Sequence, residues 1–234
     1  MAVLEAKPVP YTAEELAALN GSPAAPAPAP PVAAKEPSRK VHSIKDLPPG
    51  TSGLMQQAQS AAMAHRFDDA EKGYLEVLRQ DPNNVFVLYN VGSVQFAAHH
   101  LDDCEKTVNR ALALDPNDPG TLYLLGILRY GQEKWDESLD ALSRSAALVS
   151  TNAGTQFYLG SVLANKGLRA EAETHLRKAL EYDPAYPDAH FNLAMVYAAE
   201  TPPSLALARW HYQKALDYGH AKDATLEKML AGGK

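Results

Sequence analysis

The sequence predicts an all-α solenoid made of helix pairs that repeat every 34 residues. One set of equivalent positions holds small residues: Ala70, Cys104, Ser138 and Ala172. A second set is mainly aromatic: Met55, Tyr89, Tyr123, Phe157 and Phe191. A third set holds glycines: Gly92, Gly126 and Gly160. Because self-similarity at one fixed period is typical of stacked repeats, each unit should bury its apolar face against its neighbours.

Five such units fit the chain after residue 50. They are expected near 51–84, 85–118, 119–152, 153–186 and 187–220. Within each unit, apolar residues spaced at i, i+3, i+4 and i+7 predict two helices, which we name A and B. The segment Asp115-Pro116 ends a unit, because proline stops one helix and is tolerated at the entry of the next.

The fifth unit departs from the period by two residues. Its small residue in helix B is Ala208, and we place a two-residue insertion at 201–203, in the turn between its helices. Residues 221–231 are then expected to form one further amphipathic helix. Since a terminal repeat has no neighbour to cover its apolar face, this last helix is expected to cap the solenoid.

Residues 1–50 differ in composition and are expected to form a flexible Ala/Pro-rich arm. The stretch 22–37 contains six prolines, which exclude a helix or a sheet ladder and predict an extended, semi-rigid spacer. Before it, residues 13–19 are expected to form a short helix, because Thr12 and Glu15 have the spacing of a capping box. This helix is either transient in a disordered tail, a docking segment, or the end of a longer helix that begins upstream.

Composition excludes several other classes of protein. The chain has 234 residues and a net charge of −6, which argues against a nucleic-acid-binding face. A single cysteine allows no intrachain disulfide. No run of about 18 apolar residues is present, so no membrane insertion within this chain is expected. The compartment stays unknown: cytoplasmic is the default, and the cell envelope is the alternative if an upstream signal or anchor has been removed.

The helices resemble those of the tetratricopeptide repeat family. Residues 85–92 (VFVLYNVG) are similar to the first helix of such a repeat, and residues 69–83 are similar to its second helix and terminal turn. The resemblance covers about residues 51–218, and the near-consensus units look bacterial. It implies a non-enzymatic scaffold for protein–protein interaction that needs no cofactor.

In this family the A helices line the concave face, so the resemblance implies an aromatic, uncharged groove that binds a protein or peptide. The residues expected in the partner-binding groove are Phe86, Tyr89, Asn90, Phe96, Tyr123, Tyr130, Phe157, Tyr158, Phe191, Asn192 and Met195. Aromatic and methionine side chains are typical anchors for a partner peptide or helix, and asparagine amides can bond a peptide backbone. The alternative is that this aromatic ladder is partly packing between units.

Basic residues do not follow the groove. Carboxylate-clamp members of the family place Lys and Arg at these positions, whereas this chain has Tyr, Asn, Ser and Phe, so that specialisation is not expected. The densest basic group is interpreted as a solvated helix face: Lys166, Arg169, Arg177 and Lys178.

No catalytic, metal or cofactor site is expected. His99 and His100 are adjacent, so at a helix end they point in different directions, and no further ligands follow at suitable spacing. Cys104 occupies a small-residue position of helix B and is expected to be a buried thiol rather than a nucleophile. The chain is therefore not expected to be an enzyme.

Two functions stay open at this point. The first is a scaffold whose groove binds a partner. The second is a tethered regulatory or targeting module of a larger bacterial protein or envelope complex whose functional part lies elsewhere, which the proline-rich spacer would suit. Self-association is a third hypothesis, and the oligomeric state is unknown.

Overall fold

The computed structural model describes Thr12, Glu15, Leu47 and residues 49–232. Residues 49–232 contain eleven α-helices and no β-strand. We number them α1 to α11, with the bounds Ser52–Met63, Phe67–Gln80, Val85–Ala97, Leu101–Leu114, Pro119–Gly131, Trp135–Leu148, Ala153–Asn165, Arg169–Tyr182, Pro187–Ala198, Leu205–Asp217 and Ala224–Ala231. Up to α10, odd numbers are A helices and even numbers are B helices. The predicted all-α solenoid is confirmed.

The N-terminal predictions fall largely outside this description. The proline-rich spacer at 22–37 and the short helix expected over 13–19 lie outside the described residues, apart from Glu15 within that helix. The capping box itself is present. The Thr12 N–H donates to Glu15 Oε2 at 2.6 Å, and the Glu15 N–H donates to Thr12 Oγ1 at 3.2 Å.

Three A helices begin at side-chain caps that recur at the repeat period. Asn84, Asp118 and Asn152 each accept a hydrogen bond from the backbone N–H three residues further on, at 3.1, 2.7 and 2.8 Å. Such a cap satisfies one of the N–H groups that a helix leaves unpaired at its start. At the fourth such position Tyr186 makes no side-chain cap, and Pro187 begins α9 with its fixed φ.

The turn between helices A and B places one residue of each of the first four units in the left-handed region. The φ angle is 56° at His65, 60° at His99, 57° at Glu133 and 77° at Gly167. These four positions are separated by the repeat period. Because only glycine adopts this conformation without a steric cost, three of the four turns carry local strain.

Helices A and B of one unit approach closely because glycine leaves room for a leucine of the other helix. A Cβ added at Gly126 would lie 2.5 Å from Leu142 Cγ, and one added at Gly160 would lie 2.6 Å from Leu176 Cγ. The small residues of the B helices are fully buried, with 0% exposure: Ala70, Cys104, Ser138, Ala172 and Ala208. The fixed period of the sequence therefore reflects one repeated helix–helix contact.

Successive A helices from the second to the fifth unit contact one another directly. Helix α3 packs on α5, α5 packs on α7, and α7 packs on α9. Successive B helices make at most marginal contact. Because the A helices approach one another more closely than the B helices do, the stack bends toward the A side.

A polar contact recurs across the seams between units. The eleventh residue of a unit lies on its A helix, and in three units it bonds to a glutamate 24 residues earlier, on the B helix of the preceding unit. The pairs are Gln95–Glu71 at 2.7 Å, Arg129–Glu105 at 2.8 Å and Tyr197–Glu173 at 2.9 Å. At the remaining seam the equivalent residues are Leu139 and Leu163, which belong to one apolar cluster. The same pair of positions is therefore polar at three seams and apolar at the fourth.

The C-terminal end of the solenoid follows the predicted irregularity. Helix α10 begins at Leu205, two residues later than the period gives, after a longer turn over 199–204. Helix α11 begins at Ala224 rather than at residue 221. The reason is that the Asp223 side chain accepts the Leu226 N–H at 2.7 Å and caps the helix there.

Candidate functional site

The residues predicted to line the groove all lie on A helices. They are Phe86, Tyr89, Asn90 and Phe96 on α3, Tyr123 and Tyr130 on α5, Phe157 and Tyr158 on α7, and Phe191, Asn192 and Met195 on α9. Ten of these eleven side chains belong to half-buried residues. Phe157 is the exception, with only 8% of its surface exposed.

Tyr158 is the centre of an aromatic network on this face. Its ring lies 6.0 Å from that of Tyr123, 5.3 Å from that of Tyr130 and 4.9 Å from that of Phe157, each in an edge-on arrangement. Edge-to-face packing of this kind stabilises the rings beyond their burial alone. Residues from α5 and α7 are thus held as one surface.

Two further rings extend this network and were not among the predicted groove residues. Trp135 at the start of α6 lies 5.4 Å from Tyr130, and Tyr186 lies 4.9 Å from Phe157. The signal that could have found Tyr186 is its position, because it stands where the earlier units have a capping Asn or Asp. The aromatic surface therefore continues as far as the residue that precedes the A helix of the fifth unit.

Part of the ladder packs against the next unit. A Cβ at Gly120 would lie 3.2 Å from the Tyr89 ring, and one at Gly154 would lie 2.8 Å from the Tyr123 hydroxyl. Glycine at the second residue of α5 and α7 therefore makes room for the tyrosine of the preceding A helix. Part of each tyrosine therefore packs against the next unit, and both residues remain half-buried.

The side-chain amide of each of the two predicted asparagines already donates a hydrogen bond within the protein. Asn90 Nδ2 donates to the Phe86 carbonyl at 2.7 Å, and Asn192 Nδ2 donates to Ser161 Oγ at 2.7 Å. Phe191, beside Asn192, is stacked by His220 at 4.2 Å. The C-terminal end of the ladder is thus partly covered by the segment that follows α10.

Burial keeps the tyrosines of this face uncharged. It raises the pKa of Tyr123 and of Tyr158, and nearby tyrosines add to the effect. Burial also raises the pKa of Tyr186. The face therefore offers neutral rings and hydroxyl groups at any physiological pH, which suits an apolar or amphipathic partner segment.

The residues considered for chemistry are placed apart from one another. His99 and His100 lie in the turn between α3 and α4 and are exposed. Cys104 is fully buried, and burial together with Glu105 raises the pKa of its thiol to about 11. Within Thr12, Glu15, Leu47 and 49–232, no group of three or more His, Cys, Asp and Glu could hold a metal ion. No helix in this described part is long and apolar enough to cross a membrane.

A second site lies between α8, α9 and α10, and it corrects one prediction from the sequence. Arg177 was interpreted as part of a solvated helix face, but its side chain is only 10% exposed. Its Nη1 and Nη2 donate to Glu15 Oε1 and Oε2 at 2.7 and 2.8 Å. The solvated-face interpretation is therefore wrong for Arg177, because a carboxylate from the N-terminal segment buries it.

Arg177, Tyr197 and His211 form the wall of this site, which we call the arm pocket. His211 Nε2 donates to Glu15 Oε1 at 2.9 Å. The Tyr197 hydroxyl accepts from Arg177 Nη1 at 3.1 Å and donates to Glu173 at 2.9 Å. His190 Nδ1 lies 2.9 Å from His211 Nδ1, so His190 contacts the imidazole nitrogen of His211 that does not bond Glu15.

The charges of the arm pocket are set by burial and by pairing. Burial alone would raise the pKa of Glu15, but the hydrogen bond from His211 and the charge of Arg177 lower it to about 2. Burial lowers the pKa of His190 to about 4, and it also lowers the pKa of His211. Near neutral pH the pocket therefore contains an ionised glutamate, an arginine cation and two neutral imidazoles.

Two family models match the sequence. A model described as tetratricopeptide repeat matches residues 55–119, and one described as TPR repeat matches residues 170–200. A comparison with curated proteins gives no match.

Solved structures share the fold at low sequence identity. The structure of Pseudomonas aeruginosa pilF is 18% identical, with a TM-score of 0.68 over 78% of this chain and 83% of that chain. MamA is 24% identical, with a TM-score of 0.57 over 72% and 91%. YrrB, described as a TPR protein with an unusual peptide-binding site, is 23% identical, with a TM-score of 0.56 over 76% and 89%.

The repeat matches and the helical solenoid together define the class of protein. The chain contains tetratricopeptide repeats within an all-helical, TPR-like solenoid. Proteins of this class act as scaffolds for protein–protein interaction, which is the function that the fold supports here.

Proposed function

We propose that this protein is a non-enzymatic scaffold that binds a peptide or helix of a protein partner along the inner face of its A helices. The observation that carries the proposal is the aromatic network around Tyr158, which runs across α5 and α7 and ends at Tyr186. Neutral rings that are half-buried on a concave face give a partner segment large contact area at little cost in side-chain entropy.

The packing role of the ladder does not remove this surface. Tyr89 and Tyr123 contact the next A helix on one side, and such contacts fix the ring positions before a partner arrives. A preorganised surface binds more tightly because less side-chain freedom is lost on association. The peptide-binding site that the description of YrrB mentions offers a precedent for this use of a similar fold.

A substitution that blocks the groove tests the proposal. Ser93 is half-buried on α3, one helical turn from Tyr89 and Phe96, so Ser93→Arg would place a long cation on the inner face without removing a ring. Ser143, exposed on the B helix α6, gives the matched control Ser143→Arg. We expect a partner retained from source extract by the wild type and by Ser143→Arg to be lost by Ser93→Arg, at equal melting temperature. Equal retention by all three proteins would place binding elsewhere.

A further inference from the structure

We propose that the arm pocket is a binding site for a glutamate side chain at the start of a partner protein's helix, and that Glu15 occupies this site as an internal ligand. The pocket is distinct from the aromatic face, because Arg177 and His211 lie on B helices. The proposal therefore does not depend on the groove.

The donors of the pocket match a carboxylate group. Arg177 presents two N–H groups to the two oxygens of Glu15, at 2.7 and 2.8 Å, and His211 adds a third donor at 2.9 Å. The three side chains are only 10%, 1% and 3% exposed for Arg177, His211 and Glu15. A planar guanidinium fork recognises a planar two-oxygen anion better than a single-point donor. The number and arrangement of donors in the pocket therefore match a carboxylate group.

Glu15 is presented in a specific way that a partner can reproduce. Its own N–H donates to Thr12 Oγ1 and its Oε2 accepts from the Thr12 N–H, which is the geometry of a helix capping box. The carboxylate is therefore held in capping-box geometry while Arg177 binds it. A Thr-x-x-Glu or Ser-x-x-Glu sequence at the start of a partner helix would offer the same group in the same orientation.

The connection between the internal ligand and the solenoid is long. Residues 16–48, which number 33, separate Glu15 from the first described residue of the continuous part. A chain of that length can reach roughly 110 Å when extended, so Glu15 can leave the pocket without any change in the helices. An internal ligand on such a connection acts at an effective concentration on the order of millimolar. A partner must therefore compete with the arm.

The empty pocket keeps an acidic neighbour. The Tyr197 hydroxyl bonds both Arg177, at 3.1 Å, and Glu173, at 2.9 Å. Burial raises the pKa of Glu173, and the charge of Glu15 adds to this, so removal of Glu15 favours an ionised Glu173. Glu173, which shares the Tyr197 hydroxyl with Arg177, then helps to balance the positive charge of Arg177 while Glu15 is out of the pocket.

A labelled peptide tests this exchange on the full chain. The probe is a fluorescent peptide with the sequence of residues 8–21, PVPYTAEELAALNG. Its dissociation constant is measured by fluorescence anisotropy for the wild type and for Glu15→Lys, in which a lysine facing Arg177 expels the arm. We expect at least tenfold tighter binding to Glu15→Lys, because the internal competitor is gone. Equal affinity for both proteins, or no binding to Glu15→Lys, would overturn the proposal.

Two controls identify the recognised group. In the Glu15→Lys background, Arg177→Gln should weaken peptide binding at least tenfold, whereas Arg169→Gln, on the exposed start of the same helix, should not. The same peptide with glutamine in place of the glutamate equivalent to Glu15 should also bind at least tenfold more weakly. This peptide pair leaves the protein unchanged, so loss of folding cannot imitate the effect. Equal affinity of the two peptides would overturn carboxylate recognition.

Discussion

Arg177 and Glu15 are 162 residues apart in the sequence and form a two-point ion pair, with nitrogen–oxygen distances of 2.7 and 2.8 Å. The pair joins the N-terminal segment to the fourth repeat and buries an arginine that would otherwise lie on a helix surface. Removal of one partner from a buried pair costs more than the pair itself contributes, because a charge is left behind. The contact therefore links the position of the arm to the stability of the C-terminal repeats.

The first prediction concerns the pH dependence of this contact. The pKa of Glu15 falls from 4.5 to about 2 in the folded protein, so the folded state binds this proton less readily than the unfolded state. The stabilisation is complete above about pH 4.5 and is lost as the pH falls toward 2. The free energy of unfolding of the wild type should exceed that of Glu15→Gln by about 1–3 kcal/mol at neutral pH.

Urea unfolding of both proteins between about pH 7 and pH 3 measures this difference. The gap between wild type and Glu15→Gln should narrow on acidification. A gap that stays constant over this range would show that the stability difference does not come from the ionised carboxylate.

The second prediction concerns the close contact between helices A and B. Gly126→Ala should destabilise the protein by about 1–3 kcal/mol, because the new methyl group would overlap Leu142. Gly131, at the end of the same helix, has no atom within 4 Å of an added Cβ and gives the matched control. Gly131→Ala should not lower the melting temperature. Similar losses for both variants would indicate a general intolerance of alanine in α5.

The third prediction concerns the left-handed residue of the A–B turn. Glu133→Gly should raise the free energy of unfolding by about 0.5–1 kcal/mol, since glycine removes the steric cost of a φ of 57°. Gly167→Ala, at the equivalent position with a φ of 77°, should lower it by a similar amount. Thermal or urea unfolding of the two variants measures these opposite changes. Changes of the same sign would contradict the assignment of strain to this position.

The fourth prediction concerns the polar pairs across the seams. Arg129→Leu should destabilise the protein by about 1 kcal/mol, a modest value because the Glu105 side chain is 32% exposed and water screens the pair. The double variant Arg129→Leu with Glu105→Leu reproduces the natural Leu139 and Leu163 pair and should recover most of the loss. A double-mutant cycle by urea unfolding measures the coupling. A double variant less stable than the single one would show that leucines do not fit this seam.

The repeat architecture could be predicted from the sequence because each unit repeats the same local contacts. The positions of Gly126 and Ser138 within the period already indicate the close helix–helix contact, and Asp118 indicates the helix start. Side chains at these positions contact residues of the same or adjacent units, so their spacing along the chain determines their packing.

The arm pocket could not be predicted in the same way. The capping box of Thr12 and Glu15 is visible in the sequence, but its docking on Arg177 joins residues 162 positions apart. A periodic pattern gives no information on such a contact. A basic residue on a helix is interpreted as solvent-exposed unless its partner is known. Tyr186 was not predicted for a different reason: it occupies the position of the capping Asn or Asp in earlier units, and its ring contact with Phe157 is seen only in the structure.

Site-specific photocrosslinking tests most directly the central claim that a partner binds along the inner face of the A helices. A benzophenone amino acid replaces Tyr130 on the inner face in one protein, and in the control it replaces Tyr182, a 39% exposed tyrosine at the end of the B helix α8. Irradiation in source extract should yield a discrete crosslinked partner from position 130 and none from position 182. The same partner crosslinked at both positions, or only from position 182, would contradict binding along the inner face.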